Sequence, residues 1–68
     1  MTVRVRLNGE PRELPDGSTM VQAVAELTAA ATGVAAAVNG DVVPRGSWAV
    51  TLLHDGDQVE VVMAVQGG

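Results

Sequence analysis

Cysteine and lysine are both absent from this 68-residue chain, and Trp48 is its one aromatic residue. Without cysteine there is no disulfide, no thiolate ligand for a metal and no thiol chemistry in the chain itself. Without lysine there is no side-chain amine to which another copy's terminus could be joined, although genomic base composition explains an all-arginine set of basic residues equally well. No apolar run approaches the ~18 residues of a membrane span. Residues 1 to 20 place Arg4, Arg6 and Arg12 among alternating apolar residues, unlike the continuous apolar stretch of a signal peptide. The expectation is a cytoplasmic protein with no membrane partner. A formal charge of −4 argues against nucleic acid as a ligand and for a basic surface on a protein partner.

What remains is short and aliphatic. A chain of this length forms one domain and buries only about 60% of its unfolded surface. Its core must come from Val, Leu, Met and Ala, with Trp48 as the one bulky piece. Each buried Val or Leu contributes about 1.5 to 3 kcal/mol before entropy is subtracted.

Val3, Val5 and Leu7 alternate with Thr2, Arg4 and Arg6, the period-two pattern of a half-buried strand. Asn8-Gly9 supplies the positive φ angles of a two-residue hairpin turn, so Glu10 to Leu14 should return antiparallel. Pro11 cannot donate to a ladder and puts that return at an edge. Pro15-Asp16-Gly17 breaks the strand, and Thr19 with Gln22 has capping-box spacing. A helix follows, with Met20, Val24, Leu27 and Ala31 on its apolar face, Val21 alongside and Gly33 as its stop, about three to four turns in all.

Val34 to Val38 reads as a strand, Asn39-Gly40 as a second hairpin turn and Asp41 to Val43 as a short return ended by Pro44. The stretch around Trp48 has no clear period and suggests an irregular turn or short helix. His54-Asp55-Gly56-Asp57 has turn composition. It could also be imagined as a metal site, but zinc needs about four ligands and a hard cation about six oxygens. Gln58 to Val65 forms the last strand, apolar on both faces and therefore central. One mixed sheet packed on one main helix, an α+β roll of the β-grasp kind, is the economical arrangement for residues 1–65.

The sequence closes on Val65-Gln66-Gly67-Gly68. Glycine lacks a Cβ, so Gly67 and Gly68 can lie extended in a slot too narrow for side chains. Three or four extended residues reach roughly 10 to 13 Å. Residues 66–68 therefore read as a flexible tail able to carry a carboxylate into a partner's cleft, or simply as the frayed, polar end common to domains.

Several segments together resemble the ThiS family of sulfur carrier proteins of thiamine biosynthesis. They are Leu7-Asn8-Gly9-Glu10, Ala37-Val38-Asn39-Gly40, Val42-Val43-Pro44-Arg45, Trp48-Ala49, Leu53 to Val59 with its Asp-Gly-Asp turn, and Val65-Gln66-Gly67-Gly68. The glycine pair and the fold length are shared with the small subunit of molybdopterin synthase and with ubiquitin-related modifiers. The spacing from Val-Pro-Arg to Trp48 and the Asp-Gly-Asp turn favour the thiamine branch.

The resemblance implies that a partner adenylyltransferase of the ubiquitin-activating kind uses MgATP to convert the Gly68 carboxylate to an acyl adenylate. Sulfur mobilised from cysteine by a donor enzyme then displaces AMP, and the thiocarboxylate serves thiazole synthase. A carboxylate, with a reference pKa of about 3.3 to 3.7, is an anion and a poor electrophile at neutral pH. Adenylation removes that charge and installs a leaving group, splitting one difficult step into two. With one histidine and no glycine-rich phosphate loop, the chain has no familiar route to binding ATP itself. It is expected to hold no cofactor and to be a substrate of enzymes rather than an enzyme.

Gln66 and Gly67 would thread into the partner. Val62 and Ala64, on the sheet face away from the helix, are either a docking patch or ordinary scattered surface hydrophobics. Trp48 is either a packing residue or an anchor for a partner. Arg45 either pairs with a partner's acid or solvates the loop after Pro44. Two other functions share the activation chemistry or the fold: a modifier joined through Gly68 to lysines of other proteins, and a bare interaction module with an incidental tail.

Overall fold

A computed structural model describes residues 1–28 and 33–63. β1 (Thr2–Leu7) alternates as its sequence dictates, with Val3, Val5 and Leu7 buried and the intervening residues exposed. Asn8 and Gly9 take φ of 52° and 84°, and β2 (Glu10–Pro15) returns antiparallel in a register from Leu7 opposite Glu10 to Thr2 opposite Pro15. β2 is an edge strand, where Pro11 leaves no ladder bond unmade.

Gly17 at φ 88° turns the chain into α1 (Met20–Leu27). The Gln22 side-chain oxygen accepts the Thr19 backbone N–H at 2.7 Å, the return half of the capping box. Met20, Ala23 and Val24 face the core, with Leu27 packed at its border. Two expectations are corrected. Val21 is 41% exposed, and Ala23 takes the inward position instead. The helix also ends earlier than its alanine-rich sequence suggested, because Thr28, stiff and β-branched, is extended at φ −156°, ψ 147°. Gly33, at φ 72°, leads into the next strand and does not cap α1, and Ala31 lies outside the described residues.

β3 (Val34–Val38) and β4 (Asp41–Val43) form the second hairpin, again through an asparagine and a glycine at positive φ. The stretch around Trp48 is a 3-10 helix, Arg45–Val50, packed against α1. Hydrogen bonds from Met20 N to Thr51 O and from Leu53 N to Ser18 O pin the following segment to the start of α1. His54 to Asp57 is a turn: the Asp57 carboxylate accepts the His54 N–H at 2.8 Å and the Asn39 side-chain amide at 3.0 Å.

β5 (Gln58–Met63) runs parallel to β1 and antiparallel to β3, giving the order β2-β1-β5-β3-β4. It is central, as its apolar faces suggested. Val59 and Val61 enter the core beside Val5, Leu7 and Met20, but Met63 on the same face is 55% exposed at the strand's end. Residues 64 and 65, expected to continue this strand, lie outside the described residues.

Candidate functional site

Strand alternation and register divide the expected site residues between two sides of the molecule. Val62 is 63% exposed on the face of β5 away from α1 and stands opposite Ala35 of β3. Two residues further along β3 on that face, Ala37 pairs with Val42 of β4, itself 75% exposed. Val62, Ala35, Ala37 and Val42 thus form an apolar strip across three strands. Sequence reasoning found Val62 alone. Val42 sat in a three-residue strand too short to show a period, and the β3–β5 register that brings Ala35 to Val62 is a long-range pairing.

The other part of this outer face is polar. Arg4 Nη2 meets Glu13 Oε2 at 2.8 Å, while the Arg4 backbone N–H donates to Asp55 Oδ1 at 2.7 Å. The hydrogen bond to Glu13, then the attraction of its charge, raise the Arg4 guanidinium pKa above its ordinary value. Arg6 and Gln58 continue the shallow groove of about 520 Å³ that this pair borders.

Arg45 and Trp48 lie on the helix side. Trp48 is 8% exposed and donates its indole N–H to the Val43 carbonyl at 2.9 Å, with the Arg45 guanidinium carbon 5.7 Å from its ring centroid. Such a cation over an indole contributes about 0.5 to 1 kcal/mol at an exposed site. Both border a groove of about 330 Å³ with Val21, Val24 and Thr28. The sheet therefore separates Val62 from Arg45 and Trp48, and one flat partner surface does not cover both. Ala64, Gln66, Gly67 and Gly68 lie outside the described residues. Among the described residues no group of three His, Asp or Glu side chains is arranged to hold a metal ion. Nor is any helix there long and apolar enough to cross a membrane.

A five-stranded mixed sheet with a parallel β1–β5 pair at its centre and one helix on one face is a β-grasp fold. Comparison with known proteins places it more narrowly. The ThiS family model matches residues 5–68, and the chain belongs to that family, the sulfur carriers of thiamine biosynthesis. It is 41% identical over 64 residues to the sulfur carrier protein ThiS of Thermus thermophilus, covering 94% of this chain and 98% of that one. The crystal structure of the thiamine biosynthesis protein ThiS from Geobacter metallireducens superposes with a TM-score of 0.78 at 28% identity, covering 97% of this chain and all of that one. A thiazole synthase of Magnetococcus marinus is 36% identical over 66 residues, which span 97% of this chain but 20% of that protein.

Proposed function

We propose that this protein carries sulfur as a thiocarboxylate on Gly68 and delivers it for thiazole formation. The supporting observation is that the family match runs through Gly67 and Gly68 to residue 68. A partner adenylyltransferase with MgATP activates the carboxylate: a carboxylate oxygen attacks the α-phosphorus of ATP and pyrophosphate leaves. A sulfur nucleophile supplied from cysteine by a donor enzyme then attacks the acyl carbon and AMP leaves. The chain binds no cofactor in this scheme and acts in the cytoplasm as a co-substrate. Its tail residues Gln66 and Gly67 thread into the active sites of its partners.

Thiazole synthase is the proposed acceptor, in keeping with the similar segment within the Magnetococcus thiazole synthase. The strip of Val62, Ala35, Ala37 and Val42 supplies the recognition that a short tail ending in two glycines lacks. Discrimination among carriers with similar tails needs contacts on the body.

Intact-mass spectrometry after incubation with the adenylyltransferase, MgATP and the sulfur donor tests the scheme. The expected product has one oxygen replaced by sulfur. Covalent conjugates of higher mass in its place would make the chain a modifier and overturn the proposal.

A further inference from the structure

Asn8 has two jobs in this fold, and the hairpin turn accounts for only one. In a parallel pair the ladder bonds alternate between strands. Arg6 N donates to Asp57 O and Asn8 N to Val59 O, each at 2.9 Å. The next two bonds of such a ladder would run from Val61 N to the backbone carbonyl of residue 8, and from the N–H of residue 10 to Val61 O. The chain has by then turned away through Gly9 into β2. The Asn8 side-chain amide makes both bonds instead: its Oδ1 accepts the Val61 N–H at 2.8 Å, and its Nδ2 donates to the Val61 carbonyl at 3.1 Å. A carboxamide has one acceptor end and one donor end, and here it replaces a missing stretch of strand.

We infer that Asn8 is a positioning residue for sulfur loading, resting on the function proposed above. It fixes the end of β5 from which the chain continues to Gly68. Val61 is two residues before the last residue of β5, and four residues lie between Met63 and Gly68. A clamp there fixes the part of the body from which the remaining chain to Gly68 begins. A docked carrier whose anchor point is loosened should present its carboxylate in line with ATP less often. Asn39, the corresponding turn residue of the second hairpin, binds the other end of β5: its Oδ1 accepts the Gln58 N–H at 3.0 Å. It therefore provides an internal control.

Asn8→Gly and Asn39→Gly keep the positive φ that each turn requires and remove only the side chains. In ATP–pyrophosphate exchange with the adenylyltransferase, at a temperature where both variants are folded, Asn8→Gly should lower kcat on the order of tenfold with KM unchanged. Misplacing a reacting group by ~1 Å can cost ~100-fold. Asn39→Gly should leave kcat at the wild-type value, and only Asn8→Gly should speed hydrogen exchange of the Val61 amide. Wild-type kcat in Asn8→Gly despite fast Val61 exchange would overturn the inference, because the clamp would then be structural alone. Unchanged Val61 exchange would overturn the clamp itself. Absence of exchange activity in the wild-type chain would instead bring down the proposed function, and this inference with it.

Discussion

Trp48 and Val43 are joined by a 2.9 Å hydrogen bond from the indole N–H to the backbone carbonyl, which ties the 3-10 helix to the edge strand β4. The bond satisfies the one polar atom of the chain's bulkiest side chain where it is 8% exposed. Trp48→Ala should therefore cost about 3 to 5 kcal/mol, as large aromatic truncations do. Trp48→Phe should cost less, because it keeps an aromatic ring while losing the donor. Urea unfolding monitored by circular dichroism measures both; near-equal stability of Trp48→Ala and wild type would show that Trp48 is not part of the core.

The outer strip predicts an interface effect separable from folding. Val62→Glu and Val42→Glu each place a charge on exposed apolar surface, so thermal stability should change little. In the adenylation assay each should raise the KM for the carrier tenfold or more, at about 1.4 kcal/mol per tenfold. Ala64→Arg should act in the same direction. Wild-type kinetics with both glutamates present would move docking to the helix side, around Arg45 and Trp48.

Gly67→Ala and deletion of Gly68 are expected to abolish sulfur transfer while leaving the melting temperature unchanged, since among the described residues the core runs from Val3 to Val61. A fall of many degrees would mean that the tail is structural.

The helix start offers a local test. Gln22→Ala removes the oxygen that accepts both the Thr19 N–H at 2.7 Å and the Thr19 hydroxyl at 2.6 Å, without lowering helix propensity. It should cost about 1 kcal/mol in unfolding free energy, the net value of the backbone hydrogen bond, because the exposed Thr19 hydroxyl can turn to water. No measurable change would show that water replaces Gln22 freely.

Local signals carried most of the fold. The alternation of β1, both Asn-Gly turns, the Thr19–Gln22 cap and the doubly apolar β5 each encode their conformation within a few residues. Three features escaped. The alanine-rich stretch has high helix propensity, yet α1 ends where Thr28 is extended. Val21 follows the apolar rhythm by spacing but lies at the edge of the buried face. The pairing of Ala35 with Val62 depends on β5 entering between β1 and β3, a long-range event that no window of sequence reports. Asn8 was legible as a turn residue only, because its second role needs Val61 beside it.

That second role also sets a clock on the molecule. In an Asn-Gly pair the glycine nitrogen can close on the asparagine side chain and expel ammonia, the route by which such sites age. Water then opens the resulting cyclic imide to aspartate or isoaspartate, and at Asn8 the aspartate product would carry a carboxylate where the amide had been. The bond to Val61 N could be kept, but the donor 3.1 Å from the Val61 carbonyl would be exchanged for negative charge. The two hydrogen bonds that hold the Asn8 amide in place also restrain it from cyclising. Old preparations should therefore lose loading efficiency in proportion to aspartate and isoaspartate at position 8, long before they lose their fold.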